Sequence, residues 1–108
     1  MPAKSKTKKN SLTRMQIEKL LQQHQDALKR FTVKRIGLFG SFAKNQQNGR
    51  SDVDFLVEFG KPTYDNFFPL IAYLEKLLHR RVEIITDGNL SPRIKPFVEK
   101  EVRWHEIR

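Results

Sequence analysis

The chain has 108 residues, 38% of them apolar, and carries a formal net charge of +9; this suffices for one domain with one core and leaves no room for a separate substrate-binding domain. No apolar run approaches the ~18 residues of a membrane-spanning helix, and the lysine-rich start has no apolar segment behind it, so neither membrane association nor a secretory signal is expected. The absence of cysteine excludes disulfides, thiolate metal ligands and thiol catalysis, and is in keeping with a cytoplasmic location.

Residues 1–10 read as a disordered basic tail. Lys4, Lys6, Lys8 and Lys9 are interleaved there with Pro2, Ser5, Thr7 and Asn10, a composition with too little apolar surface to offset its ordering entropy. Taking these four charges from +9 leaves +5 for residues 11–108, which read as a single domain that handles anions. The tail is either a solvated extension or a contact for RNA or an acidic partner.

Thr13 and Gln16 have the spacing of a capping box, and Ile17, Leu20, Leu21, His24, Leu28 and Phe31 then share one helical stripe. His24 reads as a partly buried structural residue. Val33 to Phe39 is a strand ended by Gly40, and Val53 to Phe59 is a second strand whose apolar run suggests cover on both faces. Between them Phe42 to Ser51 turns polar, with Asn48-Gly49 as a turn signal. Leu70, Ile71, Leu74, Leu77 and Leu78 predict the next helix, in which Pro69 is expected in the first turn. Arg81 to Thr86 is a third strand, Asp87-Gly88 a turn, and Ser91-Pro92 opens a short helix to about Lys100. A short extended segment, Val102 to His105, ends the pattern.

The order is that of an α/β (α+β) protein, with a small mixed sheet flanked by helices. The short link between the first two strands favours antiparallel pairing, while the helix between the second and third favours a parallel pair. The end of strand one then lies beside the starts of strands two and three. That rim holds Gly40, Ser41, Asp52, Asp54 and Glu83.

Asp52 and Asp54 are two apart, so a regular strand sends both side chains to one face. Glu83, between Val82 and Ile84, must reach water, a cation or hydrogen-bond donors, because burial unpaired is too costly. Like charges ~4 Å apart repel by roughly 4 kcal/mol at an effective dielectric of 20. Three carboxylates on one rim therefore call for a divalent cation, and hard oxygen ligands favour Mg2+ over zinc. Gly40 allows close backbone approach; with a short helix from Ser41, free N–H groups and the serine hydroxyl would cradle an anion. Taken singly, each piece also fits a turn, a strand cap or an edge residue paired with Arg80 or Arg81. Phosphate cradle and carboxylate cluster together are what nucleotidyl transfer requires.

Gly40-Ser41-Phe42-Ala43, followed at the right distance by Ser51-Asp52-Val53-Asp54-Phe55-Leu56-Val57, resembles the DNA polymerase β-like nucleotidyltransferases over residues 13 to 105. The short length resembles their minimal subgroup, the antitoxin type paired with HEPN-domain toxins. The resemblance implies two Mg2+ ions held by Asp52, Asp54 and Glu83 as the catalytic carboxylates. It also implies a triphosphate held by Ser41 and the Gly40 backbone, with Lys44 as a further phosphate contact. The implied activity is transfer of AMP from ATP to a tyrosine of the toxin. Two alternatives are an antitoxin that acts by stable binding, with Phe67, Phe68, Tyr73 and Trp104 as contacts, and a subunit that modifies a small-molecule or RNA hydroxyl. Lys44 and Asn45 replace the commoner arginine and glycine, and Glu83 replaces the commoner aspartate.

Overall fold

The computed structural model describes residues 12–107, so the basic tail lies outside the described residues. In chain order the elements are α1 (Arg14–Gln23), α2 (Gln25–Arg30), β1 (Val33–Phe39), β2 (Val53–Phe59), α3 (Tyr64–Leu78), β3 (Val82–Thr86), a 3-10 turn (Asp87–Asn89), α4 (Lys95–Glu101) and β4 (Arg103–Glu106). The strands form one mixed sheet in the order β3-β2-β1-β4. β1 is antiparallel to both β2 and β4, and β2 is parallel to β3.

The capping box forms: the Thr13 hydroxyl accepts from the Gln16 N–H, and the Gln16 side chain accepts from the Thr13 N–H. The single long stripe expected from the sequence is interrupted at His24, whose backbone (φ −111°, ψ 28°) leaves the helical region and separates α1 from α2. Nδ1 of His24 shares a 2.7 Å hydrogen bond with the Tyr73 hydroxyl, so this histidine ties the break to α3. Tyr73 is thus partly buried against the core and tilted against Phe31.

Helix α3 starts at Tyr64, earlier than the leucine pattern suggests, and Pro69 is its sixth residue rather than part of the first turn. The missing proline N–H costs one bond, to the carbonyl of the exposed Asp65, where water can substitute. His79 ends α3 in a left-handed conformation (φ 56°) and turns the chain toward β3. The helix after Ser91-Pro92 also begins later than expected: residues 92–94 form turns, and α4 opens at Lys95.

One sheet face carries Val33, Ile36, Leu38, Val53, Phe55, Val57, Val82 and Ile84, which form the core with Ile17, Leu21, Leu28, Leu70, Leu74 and Leu78. At roughly 1.5–3 kcal/mol for each fully buried side chain, this face holds the strands in register. Leu56 lies on the other face between its strand partners Gly37 and Ile85, and is also buried. Gly37 admits Val102 and Trp104 so closely that a Cβ there would collide with both. Trp104 is covered in turn by the Arg35 guanidinium, 3.9 Å from the ring centroid.

Candidate active site

Strand register assembles the rim. Phe39 is opposite Asp54 across the antiparallel pair, and Asp54 is opposite Glu83 across the parallel pair. Cross-strand partners share a face, so Asp54 and Glu83 stand side by side on the face away from the core. Val53 is buried completely between Asp52 and Asp54, and its N–H donates to the Arg81 carbonyl at 2.9 Å. That anchor fixes the carboxylate pair relative to the start of β3.

Gly40 closes the rim from the side of β1. Its φ of +77° is in the left-handed region, and a Cβ placed on it would sit 2.5 Å from Oδ2 of Asp54. Glycine is required here for both reasons. The segment after it makes one helical turn and no more. Gln46 N–H donates to the Ser41 carbonyl at 2.8 Å and Asn45 N–H to the Phe42 carbonyl at 3.3 Å, while Asn45 is left-handed at φ 58°. This is a Schellman ending with asparagine in the position where glycine is commonest, which accounts for Asn45 in the sequence. Because Lys44, Asn45 and Gln46 donate the turn's bonds, the N–H groups of Ser41, Phe42 and Ala43 stay outside its ladder and are the ones that can meet an anion.

The electrostatics carry the same message. Burial, then the charge of Glu83, then that of Asp52, push the Asp54 carboxyl up to about 6. Among the described residues no ion pair reaches any of the three carboxylates. Arg80, a ready partner for Glu83 by sequence, instead directs its guanidinium to the carbonyls of Asn48 and Ser51. Among the described residues, no three His, Cys, Asp or Glu side chains converge closely enough to hold a metal ion unaided. This arrangement still fits Mg2+, which is usually held by one or two carboxylates together with substrate phosphates rather than by a cage made only of protein. Asp52 and Asp54 supply hard oxygen donors of that kind, with Glu83 adjacent in register.

Lys44 is drawn to α4, where Nζ pairs with Glu101 at 3.1 Å. Of the aromatic residues considered as contacts, Phe67 packs against Phe59, whereas Phe68 is exposed and stacks on the still more exposed Tyr64. Sequence patterns assign no role to Tyr64 or Arg14 and offer Arg80 only as a partner for Glu83, whereas two arginines hold the segment between Gly40 and Asp52. One is Arg14, which donates to the Ala43 carbonyl at 3.1 Å; the other is Arg80. Their partners are 29 or more residues away, so no local pattern announces them.

The family model described as a nucleotidyltransferase domain matches residues 14–105. The protein adenylyltransferase MntA of Thermococcus cleftensis is 40% identical over 93 residues, covering 84% of this chain and 94% of that protein. A solved structure of a minimal nucleotidyltransferase, itself provisionally assigned, superposes with a TM-score of 0.66 at 31% identity, covering 79% of this chain and 92% of its own. The same fold recurs, with a TM-score of 0.52 at 17% identity, in a complex of a tri-AMPylated HEPN toxin from Shewanella oneidensis with an MNT antitoxin, covering 77% of this chain and 69% of that one. The chain belongs to the nucleotidyltransferase family, among its minimal members.

Proposed function

We propose that this protein is an antitoxin that transfers AMP from ATP to a tyrosine hydroxyl of a HEPN-domain toxin, with Mg2+ as cofactor. The carrying observation is the rim itself: the glycine turn closes directly onto Asp54, with Glu83 beside it. The adenylyltransferase relative and the antitoxin complex of the same fold support the choice of AMP and of a toxin as acceptor. In the reaction the tyrosine hydroxyl gives up its proton to water, its oxygen forms a bond to the α-phosphorus, the bond to the oxygen bridging α and β phosphates breaks, and pyrophosphate leaves. Bound Mg2+ would supply charge neutralisation at the phosphates and at the leaving pyrophosphate. The protein's own part is positional. Gly40 lets the turn close against Asp54, and Ser41 to Ala43 offer donors to phosphate oxygens. Asp52, Asp54 and Glu83 provide the negative field that draws in the cation.

The test is incubation with Mg2+, ATP labelled in the α-phosphate, and the product of the neighbouring gene, which the proposal expects to be a HEPN-domain toxin. Label is expected on a tyrosine of the partner and is expected to vanish with Asp54→Asn. An unlabelled partner, or label that survives Asp54→Asn, overturns the proposal. Protection of cells by an Asp52/Asp54 double variant would favour neutralisation by binding alone.

A further inference from the structure

The turn from Gln46 to Arg50 links the two halves of the site, and Gln47 is its one partly buried side chain, with Nε2 donating to the Leu12 carbonyl at 3.4 Å. Its local bonds run from Asn48 N–H to the Ser51 hydroxyl, from Arg50 N–H to the Asn48 side chain and from Ser51 N–H to the Asn48 carbonyl. Such bonds shape the turn without fixing it to the domain. Arg80 does fix it. From the junction of α3 and β3, its Nη1 donates to the Asn48 carbonyl at 3.2 Å and to the Ser51 carbonyl at 3.0 Å. The same guanidinium lies 5.4 Å from the centroid of the Phe42 ring, which is wholly buried.

These contacts meet at the chemistry. Phe42 follows Ser41, Ser51 precedes Asp52, and Arg80 is three residues before Glu83. One planar cation thus lies over Phe42 behind the phosphate cradle and bonds the carbonyl just before the carboxylate pair, from a position three residues ahead of the third carboxylate. We infer that Arg80 is a positioning residue, which sets Asp52 against the Gly40-Ser41 turn and so aligns nucleotide with metal ligands. The inference rests on the transfer reaction proposed above. Lysine is a poor replacement in this place: it has no planar guanidinium to set over the Phe42 ring, and its compact, strongly hydrated ammonium on a flexible stem would hold the two carbonyls met by Nη1 less firmly.

The experiment compares wild type with Arg80→Lys by amide hydrogen exchange in nucleotide-free protein and by Mg2+-dependent AMP transfer. Loss of hydrogen bonds from a charged donor to the loop should speed exchange at residues 46–52 about tenfold or more. Exchange in β1 and β2 beyond Val53, and the melting temperature, should change little. In the transfer assay kcat should fall about tenfold or more and half-saturating Mg2+ should rise, with the KM for the toxin unchanged. Uniformly faster exchange, or kcat and Mg2+ dependence both within about twofold of wild type, overturns the inference. If wild type transfers nothing, the reaction assigned to the site fails, and the exchange pattern still decides whether Arg80 holds the loop.

Discussion

Replacing Asp54 by asparagine should stabilise the fold while it removes activity. The Asp54 carboxyl is held up at about 6 by burial and by its two acidic neighbours, against an ordinary value of 3.8. An acid whose folded pKa is raised contributes full stability below its unfolded pKa, and that contribution is lost as pH rises through the folded pKa. The native state therefore bears a penalty that is absent below about pH 4 and complete above about pH 6–7. A rise of about two pH units corresponds to at most ~3 kcal/mol. Asp54 is only half-buried, and solvent screening reduces the figure to about 1 kcal/mol. Asparagine matches the carboxylate in shape and removes the repulsion. In a chelator-containing buffer at low salt near pH 7.5, Asp54→Asn should raise the melting temperature by about 4–8 °C. The gain should shrink toward zero near about pH 4. A variant that melts below wild type at neutral pH, or a gain independent of pH, refutes the reasoning.

Gly40→Ala should abolish transfer and cost about 1–2 kcal/mol in chemical denaturation, because alanine is strained at φ +77° and its methyl would press on Asp54. Gly37→Ala should destabilise by about 1–3 kcal/mol in urea titrations through collision with Val102 and Trp104. Its direct effect on the carboxylate rim should be small. Thr13→Ala removes the cap of α1 and should lower stability by about 1 kcal/mol with kcat unchanged.

The sheet and its rim were readable in advance because each rests on local signals. Loop length alone separates the antiparallel link after Gly40 from the parallel crossover through α3. The spacing of Asp52 and Asp54 and the apolar flanks of Glu83 then put all three on one edge, where register sets Asp54 against Glu83. The resemblance gave the chemistry that the spacing alone left open. Helix boundaries were less readable. The break at His24 depends on Tyr73, 49 residues away, and the early start of α3 places Pro69 past the first turn, where propensity argues against it. The helix expected at Ser41 stops after one turn, since Asn45 takes the left-handed ending that glycine usually supplies. Lys44 was expected at phosphate and is paired with Glu101, a partner that only the folded chain brings near.

The most direct measurement is parallel incubation of this protein and the HEPN-domain toxin proposed as its acceptor with Mg2+ and ATP labelled either in the α- or in the γ-phosphate. Nucleotidyl transfer at the Asp52–Asp54–Glu83 rim predicts that the α-label stays on the partner's tyrosine and that the γ-label leaves as pyrophosphate. Transfer of the γ-label, or of neither label, contradicts it.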